Sequence, residues 1–244
     1  KKGFDVRKKK ELKKYLNQEI DIVINLSGQQ NTKYKEMIEV INIGNKNILE
    51  LAEKMKKKIT LIYISTSLVY GFSKINLKES SKKKPLNYYE KIKYKVEKNY
   101  KKTNQNFLIL RLCNIYGGKK KFGIIELIIK SIKNKNNFYF DNINTFKNFI
   151  FINDVVNIIE VLIRKNIKNK VLNVGNQNIS FINLSNFLRR LTNNCITFHN
   201  KDISLKKTLS QKIDNTLVKK IMKNYKFKTL QNYLKDEIRN KKIL

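Results

Sequence analysis

Short, nearly all-apolar runs recur along these 244 residues, separated by longer stretches in which apolar residues fall three and four apart. The runs are DIVINLS (21–27), ITLIYIS (59–65), NFLILRL (106–112), NFIFI (148–152) and KVLNVG (170–175). An apolar run without alternation suits a strand covered on both faces, as in a parallel sheet between helices. The intervening stretches read as helices: ELKKYL, MIEVINIGNKNILELAEKM, the segment after Pro85, FGIIELIIKSI and DVVNIIEVLIRK. Strand–helix alternation predicts an α/β fold, a doubly wound parallel sheet with helices on both faces. Beyond residue 176 the pattern turns helical and loop-like, with FINLSNFLRRL and TLVKKIMKNY.

Charge is the second constraint. Lys and Arg number 53 against 19 Asp and Glu, a net charge of +34. Such a balance fits a nucleic-acid or membrane-surface binder. It also fits a mutational bias, because Lys, Asn, Ile and Tyr all have codons rich in A and T. The basic residues are scattered and no nucleic-acid-binding motif lies between them, so bias is the preferred reading and the charge is taken as a solvated surface. No apolar run is long enough to span a bilayer. The opening KKGFDVRKKKELKKYL is too charged for the apolar core of a signal peptide. Cys113 and Cys195 lie far apart and suggest free thiols in a reducing compartment, so the expected location is the cytoplasm. His199 is the only histidine and is read as a polar-loop residue, so no metal site is expected.

A doubly wound nucleotide-binding fold usually opens with a strand, a glycine-rich turn and a helix, where backbone N–H groups meet a pyrophosphate. No such turn occurs here, and residue 1 is lysine. The expectation is a fragment lacking its first strand–helix–strand unit, about 50–60 residues.

PLNYYEKIKYKVEKNY (85–100) carries the chemistry. Asn87 is a helix cap, Tyr89 falls in the first turn, Lys93 lies one turn on and Glu97 one turn further. A phenol with a pKa of about 10 is a poor base near neutrality. A neighbouring cation favours the phenolate, which can then take a proton from a substrate hydroxyl. From the spacing alone the preferred reading is two residues on a solvated helix face, since Tyr94 with Lys98 and Tyr116 with Lys120 fit it too.

A second stretch, YISTSLVYG (63–71), puts small hydroxyl residues at the end of a buried strand, where they point into a ligand crevice. With Pro85, Tyr89, Lys93 and Glu97 following in order, the chain resembles the extended short-chain dehydrogenase/reductase family, the NAD-dependent nucleotide-sugar epimerases and dehydratases. FDVR, DIVINLSGQ, INIGNKNILELA, ILRLCNIYGG, FKNFIFINDVV and VLNVGN match further segments of that family in order. The resemblance implies a Rossmann-like domain over 1–175, with 118–147 contributing to a substrate lobe that is otherwise 176–244. It implies Tyr89 as general base and acid, Lys93 as the ribose-holding cation, and Thr66 as the hydroxyl on the reacting oxygen. Asp5, Val6, Leu26, Ser27 and Gly28 would line the cofactor, together with Tyr89 and Lys93. Ser67, Asn114 and Lys147 would meet a nucleotide-sugar. The cofactor would be NAD or NADP, with NAD preferred, and a homodimer is allowed.

Departures narrow the expectation. Ser67 and Leu68 stand where a 4,6-dehydratase keeps an acidic pair, which argues against that activity. Lys147 and Asn148 replace an Arg-Asp pair, and a lysine meets phosphate as a point charge rather than a fork. The expected function is a nucleotide-sugar epimerase or a related reductase. The alternatives are a non-catalytic, partner-binding remnant and a nucleic-acid binder on the same scaffold.

Overall fold

The computed structural model describes residues 4–17, 19–28, 34–118, 123–195, 197–200 and 210–239. Along the chain come α1 (Lys9–Lys13), β1 (Ile22–Asn25), α2 (Tyr34–Glu39), a π-helical turn (Val40–Gly44) and α3 (Asn45–Glu53). Next are β2 (Thr60–Thr66), a 3₁₀ turn (Ser67–Tyr70), β3 (Ser73–Leu77), α4 (Tyr88–Lys102), β4 (Asn106–Leu112) and β5 (Asn114–Tyr116). Then follow α5 (Ile124–Lys133), β6 (Phe138–Phe140), β7 (Phe146–Phe151), α6 (Ile152–Arg164), β8 (Lys170–Val174), β9 (Gln177–Ser180) and α7 (Phe181–Leu191). β10 (Phe198–Asn200), β11 (Gln211–Ile213), α8 (Thr216–Ile221) and α9 (Leu230–Arg239) complete the order.

Four of the five apolar runs build one central sheet in the order β1-β2-β4-β8, with β1 parallel to β2 and Ile22 opposite Thr60. The fold is mixed α/β around that parallel sheet, as the alternation requires. Three expectations are corrected. NFIFI forms part of β7, which belongs to a different sheet: it pairs parallel with β5 and antiparallel with β9. An apolar run records burial and says nothing of which sheet does the burying. β1 is also not covered on both faces, since Ile24 is 41% exposed at this sheet's edge. Beyond residue 176 the chain is not only helical and loop-like. β9, β10 and β11 lie there, each too short to leave a periodic signal.

The chain packs as two compact units. The first comprises 1–71, 82–111 and 166–172; the second comprises 72–81, 112–165 and 173–244. In the first, α1, α3 and α4 pack Leu12, Ile48, Ala52, Ile92 and Val96 against Leu61 and Ile109 of the sheet. In the second, α5, α7 and α9 bury Ile128, Leu188 and Leu234 around Phe140 and Phe149. Asp154 sits in the first turn of α6 and accepts hydrogen bonds from the Tyr225 hydroxyl and the Lys228 N–H, fixing the approach to α9.

α4 positions the candidate site, and its start is specified locally. Asn87 is extended, and its side-chain oxygen accepts the Glu90 N–H at 2.9 Å. Glu90 reaches back to the Leu86 N–H, closing a reciprocal cap. Gly71, ending the Val-Tyr-Gly turn, has φ +71°, and a Cβ there would stand 2.5 Å from the Lys84 carbonyl oxygen just ahead of the helix. Asn87→Ala is expected to lower the unfolding free energy by about 1 kcal/mol in denaturant titrations; an unchanged midpoint and slope would show that the cap does not secure α4.

Candidate active site

The buried face of α4 carries Lys93, Glu97 and Tyr100, with half-buried Tyr89 one turn before Lys93. Lys93 is 4% exposed. Its ammonium donates to the Ile64 carbonyl of β2 at 2.9 Å. It lies 5.1 Å from the ring centroid of Tyr63 and 5.9 Å from that of Tyr89. Two electron-rich faces and a carbonyl thus replace the water that the charge has lost. Burial nevertheless pushes the Lys93 pKa down to about 8, against the pull of Glu97 in the other direction. Thr66 closes β2 two residues beyond Ile64, is buried, and accepts the Leu68 N–H at 3.2 Å. The strand therefore delivers a hydroxyl next to the backbone on which the lysine is seated.

Behind this lies a buried polar network. Glu97 accepts from the Ser65 hydroxyl at 2.6 Å and pairs with the Arg111 guanidinium at 2.6 Å, both charged side chains being 0% exposed. Arg111 also donates to the Tyr70 hydroxyl at 2.7 Å. A third link ties α4 to β1. The Asn45 side-chain oxygen accepts from Tyr100 at 2.9 Å and from Asn25 at 2.7 Å, and Asn25 holds the Ser27 N–H and hydroxyl. Burial raises the pKa of Tyr63 and Tyr100, so both stay neutral phenols.

The residues expected to line a cofactor fall in the same unit. Leu26 is 61% exposed beyond β1, with Ser27 and Gly28 half-buried after it. Asn47 of α3 holds the other segment by donating to the Val6 and Arg7 carbonyls at 3.0 and 2.9 Å. Gly44 lets that helix close on Val6, where a Cβ would come within 2.5 Å of Val6 Cγ2. Asp5 is not an open carboxylate. Arg7 donates to both of its oxygens and also reaches Glu39 at 3.1 Å. That guanidinium holds the Asp5 carboxyl below the usual carboxylate range.

Of the expected substrate residues, Ser67 is buried at the start of the 3₁₀ turn. In the second unit, Asn114 donates to the Asn148 carbonyl at 2.8 Å, and the Lys147 ammonium lies 5.1 Å from the Phe72 ring centroid. The Lys119–Lys121 run, which in the sequence reads first as a solvated loop and second as an attractor for a diphosphate, lies outside the described residues. His199 is not in a loop: it belongs to β10, stacked on Tyr139 at 5.0 Å and within 2.6 Å of the Thr197 hydroxyl. Among the described residues no cluster of His, Cys, Asp and Glu could hold a metal, and no helix is long and apolar enough to cross a membrane. Sequence reasoning missed Ser65, Asn45 and Arg7. The only signal for them was their place inside the matched segments YISTSLVYG, INIGNKNILELA and FDVR.

Residues 2–175 match the model of the NAD dependent epimerase/dehydratase family. The chain belongs to that family. A Dictyostelium discoideum dTDP-D-glucose 4,6-dehydratase is 28% identical over 181 residues, 65% of this chain and 42% of that protein. An Aggregatibacter actinomycetemcomitans GDP-6-deoxy-D-talose 4-dehydrogenase is 28% identical over 141 residues, 55% of this chain and 48% of that protein. The matched region spans less than half the length of either relative. Among solved structures, a Thermotoga maritima UDP-glucose 4-epimerase with UDP-glucose superposes with a TM-score of 0.80 at 17% identity, covering 98% of this chain and 84% of that one. A Bacillus cereus UDP-glucuronic acid 4-epimerase with UDP-glucuronic acid and NAD gives 0.77 at 20% identity, covering 94% and 78%. At these identities the likeness is one of fold. The family is NAD-dependent, and the proteins this chain resembles include a dehydratase and a dehydrogenase in sequence and epimerases in fold.

The buried ammonium has a measurable consequence. With a folded pKa of about 8 against an ordinary 10.5, the folded chain binds fewer protons than the unfolded chain between those values. This group's contribution to stability therefore rises with pH through that window, and below pH 8 its burial cost is present in full. Lys93→Met is expected to be more stable than the parent at pH 7 by about 1–3 kcal/mol, the gap closing toward pH 10.5. A parent more stable than the variant at pH 7 would contradict the burial of a charged amine.

Proposed function

We propose that this chain carries the catalytic part of an NAD-dependent nucleotide-sugar epimerase or a related reductase. The observation that carries the reading is the Lys93 ammonium, buried at the end of β2 and 5.9 Å from the Tyr89 ring. In this reading Tyr89 takes the proton of a sugar-ring hydroxyl and returns one later. Lys93 favours the phenolate through its charge, and the Thr66 hydroxyl steadies the reacting oxygen.

The donor set fits one end of NAD. The hydroxyls of a ribose can accept from an ammonium and exchange hydrogen bonds with a phenol, and Lys93 with Tyr89 offers such a pair. Leu26, Ser27 and Gly28 would lie along the same end, and Asp5 with Val6 along the adenine end. Asp5 would have to share oxygens already held by Arg7. Bound NAD would supply a hydride acceptor for the sugar carbon.

Ser67 is proposed as a sugar contact from unit one. Asn114 and Lys147 are proposed as nucleotide-sugar contacts on their motif match, and 118–147 with 176–244 as the substrate lobe. Epimerase or reductase is preferred to 4,6-dehydratase because Ser67 and Leu68 offer no carboxyl group for water elimination. A cytoplasmic setting belongs to the same proposal, supported by the absence of a disulfide at buried Cys113 and exposed Cys195 among the described residues.

The test is turnover of a panel of UDP-, dTDP-, GDP- and CDP-sugars with added NAD. Tyr89→Phe is expected to lower the rate on the accepted sugar at least ~100-fold. Equal rates in parent and variant would remove Tyr89 from the chemistry.

A further inference from the structure

Lys93 and Glu97 sit one turn apart on α4 and grip adjacent residues of β2. Lys93 donates to the Ile64 carbonyl at 2.9 Å, and Glu97 accepts from the Ser65 hydroxyl at 2.6 Å. Thr66 is the next strand residue, and Tyr89 lies one helical turn before Lys93. A single contact would leave the helix free to pivot on the strand. Two in succession fix both its depth and its rotation, and with them the placement of Tyr89.

Glu97 also acts through charge. Its carboxylate is one turn from a buried ammonium, where attraction is weakly screened. Arg111 hydrogen-bonds to both oxygens of Glu97. The other titratable groups seen against the Lys93 ammonium are Tyr63 on β2 and Tyr89 on α4. Neither of these supplies a carboxylate.

We propose that Glu97, held by Ser65, is a positioning residue that docks Lys93 against the end of β2 and keeps its ammonium charged. This deepens the Tyr89–Lys93 reading and rests on it. A purely structural ion pair would stabilise the fold without governing the protonation of Lys93.

The experiment is an NMR titration of the whole chain labelled with ¹³C,¹⁵N-lysine, without ligand, with the Lys93 signal identified by its loss in Lys93→Arg. The parent is expected to titrate at about 8. In Glu97→Gln, Lys93 should become a roughly tenfold stronger acid, because the attraction favouring its charged form is gone. Glu97→Gln leaves Arg111 buried without its counter-charge and can fail to fold. Glu97→Gln/Arg111→Gln removes both charges and is expected to shift Lys93 in the same direction. Ser65→Ala keeps both charges and should shift it by a smaller factor, about threefold. A Lys93 midpoint that no folded variant moves would overturn the proposal. Tyr89→Phe turnover of the sugar panel separates the two claims. A moved midpoint with unimpaired Tyr89→Phe would sink the reaction and leave the coupling. An unmoved midpoint with inactive Tyr89→Phe would sink the coupling alone.

Discussion

One ammonium, that of Lys93, has been taken out of water, and much of the first unit is arranged around that fact. A bare buried charge would cost several kcal/mol and would normally be lost by deprotonation. Here a backbone carbonyl, two aromatic faces and a carboxylate one turn away share the work of hydration. Each of these partners constrains something else. The carbonyl requires α4 to lie along the end of β2. The rings require tyrosines at 63 and 89. The carboxylate requires its own counter-charge, which Arg111 brings from the neighbouring strand. The local structure and the packing of α4 thus follow from a single electrostatic problem and its solution.

The same solution explains why the strand end is rich in small hydroxyl residues. Ser65 turns to Glu97, Thr66 caps the turn that follows, and Ser67 begins it. Larger side chains would push α4 away from the strand. Gly71 then lets the chain turn close beneath the Lys84 carbonyl. Further along the helix, Tyr100 and Asn45 tie the end of β1 to the same element, so α4 organises both strand ends in its unit.

What the sequence revealed and what it hid have physical reasons. Tyr89, Lys93 and Glu97 were singled out by their order after YISTSLVYG and Pro85, because their helical spacing alone is shared by Tyr94 with Lys98. Long apolar runs exposed β2, β4 and β8. The sheet membership of β7 was hidden because burial looks alike in any sheet, and β5, β6, β10 and β11 are three residues each. The exposure of Ile24 was hidden because an edge strand can be as apolar as a central one. The partners of Glu97 were out of reach because Ser65 and Arg111 lie 32 and 14 residues away along the chain. The Arg7 grip on Asp5 was missed although the two are neighbours, because a motif match names a residue and not the state of its carboxylate. Lys147, expected to face a phosphate, lies over Phe72, an ordinary resting place for a flexible cation.

The central claim is that the buried ammonium stabilises the phenolate of Tyr89. Tetranitromethane attacks phenolate, so nitration at pH 8, mapped by mass spectrometry, measures it without any substrate. Tyr88, 56% exposed on the adjoining position, is the internal reference. The account predicts that Tyr89 is nitrated faster than Tyr88 in the parent, and that Lys93→Met abolishes the excess while leaving Tyr88 unchanged. A Tyr89 rate indifferent to Lys93→Met would contradict it.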